Sequence, residues 1–201
     1  MVLFDINKVI LKVVLIAVVI ILALSFIKTG QKQHYEQNLN FPDKGKLEER
    51  GKQWLKNYQY VDYKITTTFR KEPYDARLIE AEGQYSLIKI SDLAKILYGE
   101  YSISGDYVTL TVYNTTITLK INDPHLWGYT IVDGVKKRAV YRIPYPALVV
   151  DGEVYIPVRS TLRALNMGVL YAGDKIFFGQ DVPKNDTSLI FEKFVEEGEL
   201  K

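Results

Sequence analysis

The sequence predicts a strand-rich α+β domain built from two repeats of a β-hairpin and a short helix, preceded by a single N-terminal transmembrane helix. Three observations lead to this fold class. Residues 150–168, VDGEVYIPVRSTLRALNMG, combine a turn, a strand, a proline and an amphipathic segment. The same order occurs once more, earlier in the chain, within residues 79–121. Residues 9–27 form a nearly unbroken apolar run.

The stretch at 150–168 predicts a hairpin turn and a strand, followed by a helix. Asp151 and Gly152 suit the positive φ angles of a tight turn, and the valine, tyrosine and isoleucine after them favour a strand. Pro157 ends that strand, because proline has no amide hydrogen for a ladder but suits the first turn of a helix.

The helix predicted after Pro157 has one aliphatic face. Apolar residues and one threonine recur there at helical spacing, namely Val158, Thr161, Leu162 and Leu165. Gly168 follows at the point where a helix often ends in a left-handed residue, which glycine adopts most cheaply. We therefore expect Leu162 in the core and Gly168 at a positive φ.

The earlier copy, EGQYSLIKISDLAKILYGEYSISGDYVTLTV, repeats the order of turn, strand, helix, glycine and hairpin. Aligning the copies places Gly83 on Gly152, Leu93 on Leu162 and Gly99 on Gly168. We interpret them as half-repeats at residues 79–121 and 147–179.

The second copy resembles the copper amine oxidase N-terminal-like domain, or stalk domain, of bacterial secreted and surface proteins. The shared motif positions are Asp151, Gly152, Ile156, Pro157, Val158, Arg159, Leu165 and Gly168. Two departures are the residues NM before Gly168 and Tyr171 in place of the usual tryptophan. The resemblance covers residues 131–179 and, less closely, 79–121. It implies a non-catalytic stalk without a copper site.

The apolar run at residues 9–27 is interrupted only by Lys12 and Ser25. As a helix it would be about 28 Å long, close to the roughly 30 Å hydrocarbon thickness of a bilayer. Ala23 and Ser25 suit a signal peptidase, whereas the length favours an uncleaved anchor, so both interpretations stay open. We predict a single-pass cell-membrane protein with an extracytoplasmic C-terminal domain, or a secreted protein if the segment is cleaved.

The remaining chain divides by composition and periodicity. We predict a short N-terminal tail at 1–8, a polar spacer at 28–45, a stalk-like domain at 46–182 and a C-terminal short helix or tail at 183–201. Near the start of the domain, KLEERGKQWLKNY places its apolar residues on one face of a short helix. Alternation over residues 61–69 predicts a half-buried strand.

Composition and motifs argue against several functional classes. The chain has no cysteine, which excludes disulfides and thiolate chemistry. Its 26 basic and 24 acidic residues give a net charge of +2, too small for the positive field of a nucleic-acid-binding protein. The two histidines, His34 and His125, are far apart in sequence and form no metal set. We predict no enzymatic activity, no cofactor and no nucleic-acid partner.

Two features are candidates for ligand contact. Aromatic residues gather in DPHLWGYTIVDGVKKRAVYRIPYP, between the two copies, and those predicted to bind a ligand are Trp127, Tyr129, Tyr141 and Tyr145. Flat aromatic faces suit sugar rings or proline-rich peptides, although Trp127 and Tyr141 also suit an ordinary core. Arg159 and Arg163 suit either an anionic ligand or salt bridges.

Together these observations predict a membrane-anchored, non-enzymatic extracytoplasmic module for cell-envelope binding, spacing or protein interaction. Its expected partners are the membrane and cell-wall polymer or envelope proteins. Gly152, Pro157, Arg159, Leu162 and Gly168 form its structural motif. The alternatives are an accessory domain of a cell-wall-acting enzyme, a weak hydrolase using Asp133 and Asp151, and a subunit of an envelope machine.

Overall fold

The computed structural model describes residues 43–81, 85–184 and 188–195, and most of these form strands. In chain order the elements are α1 (Lys44–Gly51), a 3-10 turn (Lys52–Trp54), β1 (Tyr58–Thr67), β2 (Tyr74–Ala81), β3 (Tyr85–Lys89), α2 (Ile90–Leu97), β4 (Glu100–Ser104), β5 (Tyr107–Val112), β6 (Thr115–Lys120), β7 (His125–Val132), β8 (Val135–Arg142), β9 (Leu148–Val150), β10 (Glu153–Pro157), α3 (Val158–Ala164), β11 (Gly168–Ala172), β12 (Lys175–Gly179) and β13 (Ile190–Phe194).

The strands form two sheets. The first has seven strands in the order β11-β12-β1-β2-β3-β10-β9, and its strands pair antiparallel except for β1 with β12. The second has six strands in the order β13-β8-β7-β6-β5-β4. Strands β4 to β8 of the second sheet form an antiparallel meander, and β13 pairs with β8 at its edge.

The two sheets share one hydrophobic core. Both sheets contribute buried residues to one cluster, which also includes residues of the helices α2 and α3. Fully buried members are Ile65, Leu78 and Ile156 from the first sheet, Leu110, Leu119 and Leu126 from the second, and Leu93, Leu97 and Leu162 from the helices. The domain therefore consists of two β-layers around a common core.

A second, smaller core lies on the other face of the seven-stranded sheet. It contains Ile79, Leu87, Leu148 and Val150, and the partly buried Trp54 and Leu55 pack against it from the 3-10 turn and the residue after it. The central strands of this sheet are thus buried on both faces. Strand β9, at the end of the sheet order, also contributes to both cores, with Val149 in the shared core and Leu148 and Val150 in the second. All three of its residues are therefore apolar and buried, without the alternation of a half-exposed strand.

The predicted α+β class is wrong, because the described residues form a mostly-β fold with two sheets. The α-helices among them have at most eight residues. Residues 99–142 account for much of the difference. In sequence they are predicted as part of a repeat and an aromatic insertion, whereas they form the continuous meander of the six-stranded sheet.

The transmembrane part of the predicted fold class has no support from the structure. Among the described residues, no helix is both long enough and apolar enough to cross a bilayer. The predicted segment at 9–27 and the tail and spacer around it lie outside the described residues.

The local order of the two proposed half-repeats is present twice, as β3-α2-β4-β5 and as β10-α3-β11-β12. The first strands of the two copies pair antiparallel, with Ile88 opposite Ile156. Their hairpins then diverge, because β4 and β5 join the six-stranded sheet and β11 and β12 join the seven-stranded sheet. Gly83, which begins the first copy in the alignment, lies outside the described residues.

Gly168 does not have the positive φ that the sequence predicts. The left-handed residue after α3 is Asn166, with φ 59°. Gly168 is needed for another reason: a Cβ there would lie 2.1 Å from the carbonyl oxygen of Val182. The equivalent Gly99 has the same constraint, with a Cβ position 2.6 Å from the carbonyl oxygen of Thr111. Both glycines allow a backbone segment to pass at contact distance.

The C-terminal segment, predicted as a short helix or tail, contains the strand β13. This strand pairs with β8, with Ile190 opposite Arg142 and Phe194 opposite Ala139. Without β13, β8 would be the unpaired edge of the sheet. Long-range pairing therefore determines the conformation of this segment.

The predicted helix over KLEERGKQWLKNY forms only in its first part, because α1 ends at Gly51 and Tyr58 already belongs to β1. Helix α1 packs on the domain, with Leu47 buried and its carbonyl accepting a 2.7 Å hydrogen bond from the Asn122 side chain. Asp43 caps this helix by accepting from the amide of Lys46. The strand predicted at 61–69 corresponds to β1, which alternates buried and exposed residues in its second half.

We expect Gly168→Ala to lower the free energy of unfolding by about 1–3 kcal/mol, because the added methyl collides with the backbone of Val182. Gly45→Ala is the matched control. Gly45 lies in α1 with no atom within 4 Å of its Cβ position, so alanine there should be neutral or stabilise by up to about 1 kcal/mol. Urea unfolding of both variants measures the difference, and a neutral Gly168→Ala would contradict the close approach.

We expect Leu162→Ala to lower the free energy of unfolding by about 2–5 kcal/mol, because the side chain of Leu162 on α3 is fully buried in the shared core. Arg163→Ala, at the next position of the same helix, should change stability by less than about 0.5 kcal/mol. Thermal unfolding compares the two variants. A larger loss from the arginine variant would mean that the core contacts of α3 are assigned wrongly.

Candidate functional site

The aromatic residues predicted to bind a ligand lie in three places. Trp127 and Tyr129 are on β7, on the side of the sheet that faces away from the shared core. Tyr141, on β8, is buried in that core, and its hydroxyl donates to the carbonyl oxygen of Tyr129 at 3.3 Å. Tyr145 is buried in the second core, where its ring lies 5.6 Å from that of Trp54. Only Trp127 and Tyr129 can form one surface.

Strand register explains this separation. Trp127 is opposite Val140, and Leu126 is opposite Tyr141. Opposite residues of an antiparallel pair share a face, so Tyr141 lies on the inner face with the fully buried Leu126. Tyr129 lies two residues from Trp127 on the outer face and is 37% exposed.

Two further rings flank Trp127 on this outer face. The ring centroid of Tyr107, on β5, is 6.0 Å away, and that of His125 is 6.3 Å away. The Lys120 Nζ atom lies 5.7 Å from the Tyr107 ring, and the Lys136 Nζ atom lies 4.4 Å from the Tyr129 ring. The result is a cluster of partly exposed aromatic rings with cations beside it.

A row of hydroxyl groups leads across the sheet to Trp127. Ser102 on β4 is opposite Thr109, which is opposite Thr118, which is opposite Trp127. The hydroxyls of Thr109 and Thr118 are 3.3 Å apart, within hydrogen-bond distance. We call Ser102, Tyr107, Thr109, Thr118, Trp127 and Tyr129 the aromatic-hydroxyl face. Each hydroxyl retains capacity to bond a ligand, because it has one donor hydrogen and two lone pairs.

His125 connects this face to the edge strand β13. Its Nδ1 atom contacts the carboxylate of Asp123, and its Nε2 atom lies 3.2 Å from Glu192 Oε2 on β13. Across the residues that the structure describes, no group of three or more histidine, aspartate and glutamate side chains could hold a metal ion. The imidazole of His125 and the carboxylate of Glu192 thus form a polar contact between β7 and β13.

The residues of the structural motif lie at both ends of β10, along α3 and, in the case of Gly168, at the start of β11. Gly152, with φ 75°, forms the hairpin turn together with Asp151, whose carboxylate accepts a 2.7 Å hydrogen bond from the Tyr60 hydroxyl. Pro157 is the last residue of β10 and the N-cap of α3. Asp133 and Asp151, the residues of the hydrolase alternative, occupy turns in different sheets.

Arg159 lies near the start of α3 and extends over Tyr171 of β11. Its guanidinium carbon is 4.8 Å from the Tyr171 ring centroid. Within residues 43–81, 85–184 and 188–195, neither Arg159 nor Arg163 forms an ion pair. The salt bridges expected for Arg159 and Arg163 are therefore not formed among the described residues.

The hydroxyl-bearing part of the aromatic-hydroxyl face was not predicted from the sequence. A signal for it is present, because threonines alternate with buried residues in TLTV and TTITL, which predicts one hydroxyl-bearing face on β5 and β6. The contact between Tyr107 and Trp127 had no such signal, since it joins strands that are not neighbours in sequence.

No family model, curated protein or solved structure matches this chain. The resemblance to the stalk domains therefore stays a prediction from the motif at residues 150–168.

Proposed function

We propose that the protein is a non-catalytic binding module of the cell envelope, and that it holds a cell-wall polysaccharide on the aromatic-hydroxyl face. The observation that supports this most directly is the position of Trp127 at the end of the Ser102–Thr109–Thr118 row, with the Tyr107 ring beside it. An aromatic ring next to aligned hydroxyls offers both kinds of contact that a sugar makes.

The chemistry of a pyranose ring fits this arrangement. Its axial C–H groups form an apolar patch that packs on an indole or phenol face, and its hydroxyls exchange hydrogen bonds with threonine and serine. Each aromatic contact contributes about 0.5–1.5 kcal/mol, so a single sugar binds weakly. A repeating polymer overcomes this, since neighbouring units bind at a high effective concentration.

The extracytoplasmic location in this proposal rests on the sequence. The apolar run at residues 9–27 precedes the domain. A cleaved signal places the domain outside the cytoplasm, and for an uncleaved anchor the short N-terminal tail and the resemblance to surface proteins favour the same location. The chain also lacks cysteine, so its stability does not depend on the redox state of the compartment.

We expect Trp127→Ala to weaken binding to purified cell-wall polysaccharide several-fold, and Trp127→Ala with Tyr107→Ala to weaken it by about tenfold or more, because each change removes a stacking surface. Co-sedimentation over a range of polymer concentrations measures this. Leu170→Ala is the control, since Leu170 is 53% exposed and lies on β11 of the other sheet. Unchanged binding of the double variant, or an equal loss from the control, would contradict the proposal.

We expect protease added to intact, wall-stripped cells to digest the domain, because the proposed location is outside the membrane. Immunodetection of the C-terminal domain measures the loss, and a cytoplasmic enzyme serves as the control for cell integrity. Full protection of the domain until the cells are lysed would show that it faces the cytoplasm.

A further inference from the structure

A cleft lies on the seven-stranded sheet, away from the aromatic-hydroxyl face of the six-stranded sheet. Its volume is about 690 Å³, within the usual range for small-molecule sites. It is lined by residues of β1, β2, β3, α3 and β11 and by Asn57, namely Asn57, Tyr58, Gln59, Tyr63, Glu80, Ala81, Ser86, Arg159 and Tyr171. The lining thus combines three tyrosines with one cation and one anion.

Arg159 provides the positive charge of the cleft. Its guanidinium carbon lies 4.8 Å from the ring centroid of Tyr171, and the Tyr171 ring meets that of Tyr63 edge-on, with centroids 6.2 Å apart and planes at 83°. A guanidinium carries five N–H donors, so contact with one ring leaves donors for a ligand. Among the described residues these N–H groups donate to no side chain and form no ion pair. A planar guanidinium held in this way suits bidentate binding of a carboxylate.

Glu80 provides the negative charge. One of its oxygens accepts a hydrogen bond from the Tyr63 hydroxyl, and the other accepts from Gln59 Nε2 at 3.4 Å. Burial and the bond to Glu80 raise the pKa of Tyr63 above its usual value, so its hydroxyl stays protonated and continues to donate. Each carboxylate oxygen still has a lone pair for another donor.

We propose that this cleft binds a small zwitterionic ligand, an amino acid or short peptide, with its carboxylate on Arg159, its ammonium group on Glu80 and its side chain against Tyr58, Tyr63 and Tyr171. Ser86, opposite Glu80 on the neighbouring strand, adds a hydroxyl to the polar wall. A sugar without a carboxylate leaves Arg159 unpaired, and a simple anion leaves Glu80 unpaired. The site is separate from the polysaccharide surface and does not depend on it.

The dipeptide alanyl-phenylalanine, added to the 201-residue chain in mild detergent, tests this by calorimetric titration. We expect the free dipeptide to bind. Its C-terminal amide and its N-acetyl derivative should each bind about tenfold more weakly, because each loses one charge-assisted contact. No binding of the free dipeptide, or equal binding of all three compounds, would overturn the proposal.

Charge-neutral variants assign each contact to a residue. Arg159→Gln should weaken binding of the free dipeptide and abolish the preference for acid over amide, while Glu80→Gln should abolish the preference for free over acetylated amine. Arg163→Gln, four residues along the same helix and outside the lining, is the matched control and should bind as the unmodified chain does. Because each variant is judged by a ratio between two ligands, a partial loss of folded protein does not imitate the result. Unchanged ratios in the Arg159 and Glu80 variants would overturn the proposal even if the dipeptide binds.

Discussion

Burial of aliphatic side chains between the two sheets is the constraint on which the rest of the structure depends. Each sheet must cover one apolar face, and the shared core does this for both. The seven-stranded sheet also carries the second core on its other face, covered by Trp54, Leu55 and Tyr145. The six-stranded sheet has no such second layer among the described residues. Its outer face therefore carries threonines, serines and partly exposed rings, as one-sided antiparallel sheets do.

Local chemistry made part of this architecture predictable. Alternation specifies β1, β5 and β6, and the Asp151-Gly152 pair specifies its turn, because these signals need only neighbouring residues. The shared face of Trp127 and Tyr129 follows in the same way from their two-residue spacing in a strand. The predicted α+β class failed because assignment to a layer is a long-range property. Two similar strand-helix-hairpin units send their hairpins to different sheets, and no local residue pattern distinguishes them.

Other features required the three-dimensional structure. Tyr141 belongs to the core because its strand pairs with β7 in one register, and a shift of one residue would have turned it outward. Gly168 illustrates a different ambiguity, since glycine serves equally where φ is positive and where another backbone passes close by. At Gly168 the close approach is the reason, because the backbone of Val182 passes next to it. The cleft around Arg159 joins residues from Asn57 to Tyr171, so no sequence window contains it.

Helix α3 shows how scaffold and site can share a few residues. Leu162 is buried in the shared core, and the residues that follow lead to the close passage at Gly168. These contacts fix the rotation of a helix that has only seven residues. Arg159, one turn before Leu162, then points toward Tyr171 and the cleft, because a rigid helix determines the direction of every side chain on it. Ligand contact by Arg159 and core packing by Leu162 are therefore consequences of the same helix orientation, and a change in the packing would move the guanidinium away from Tyr171.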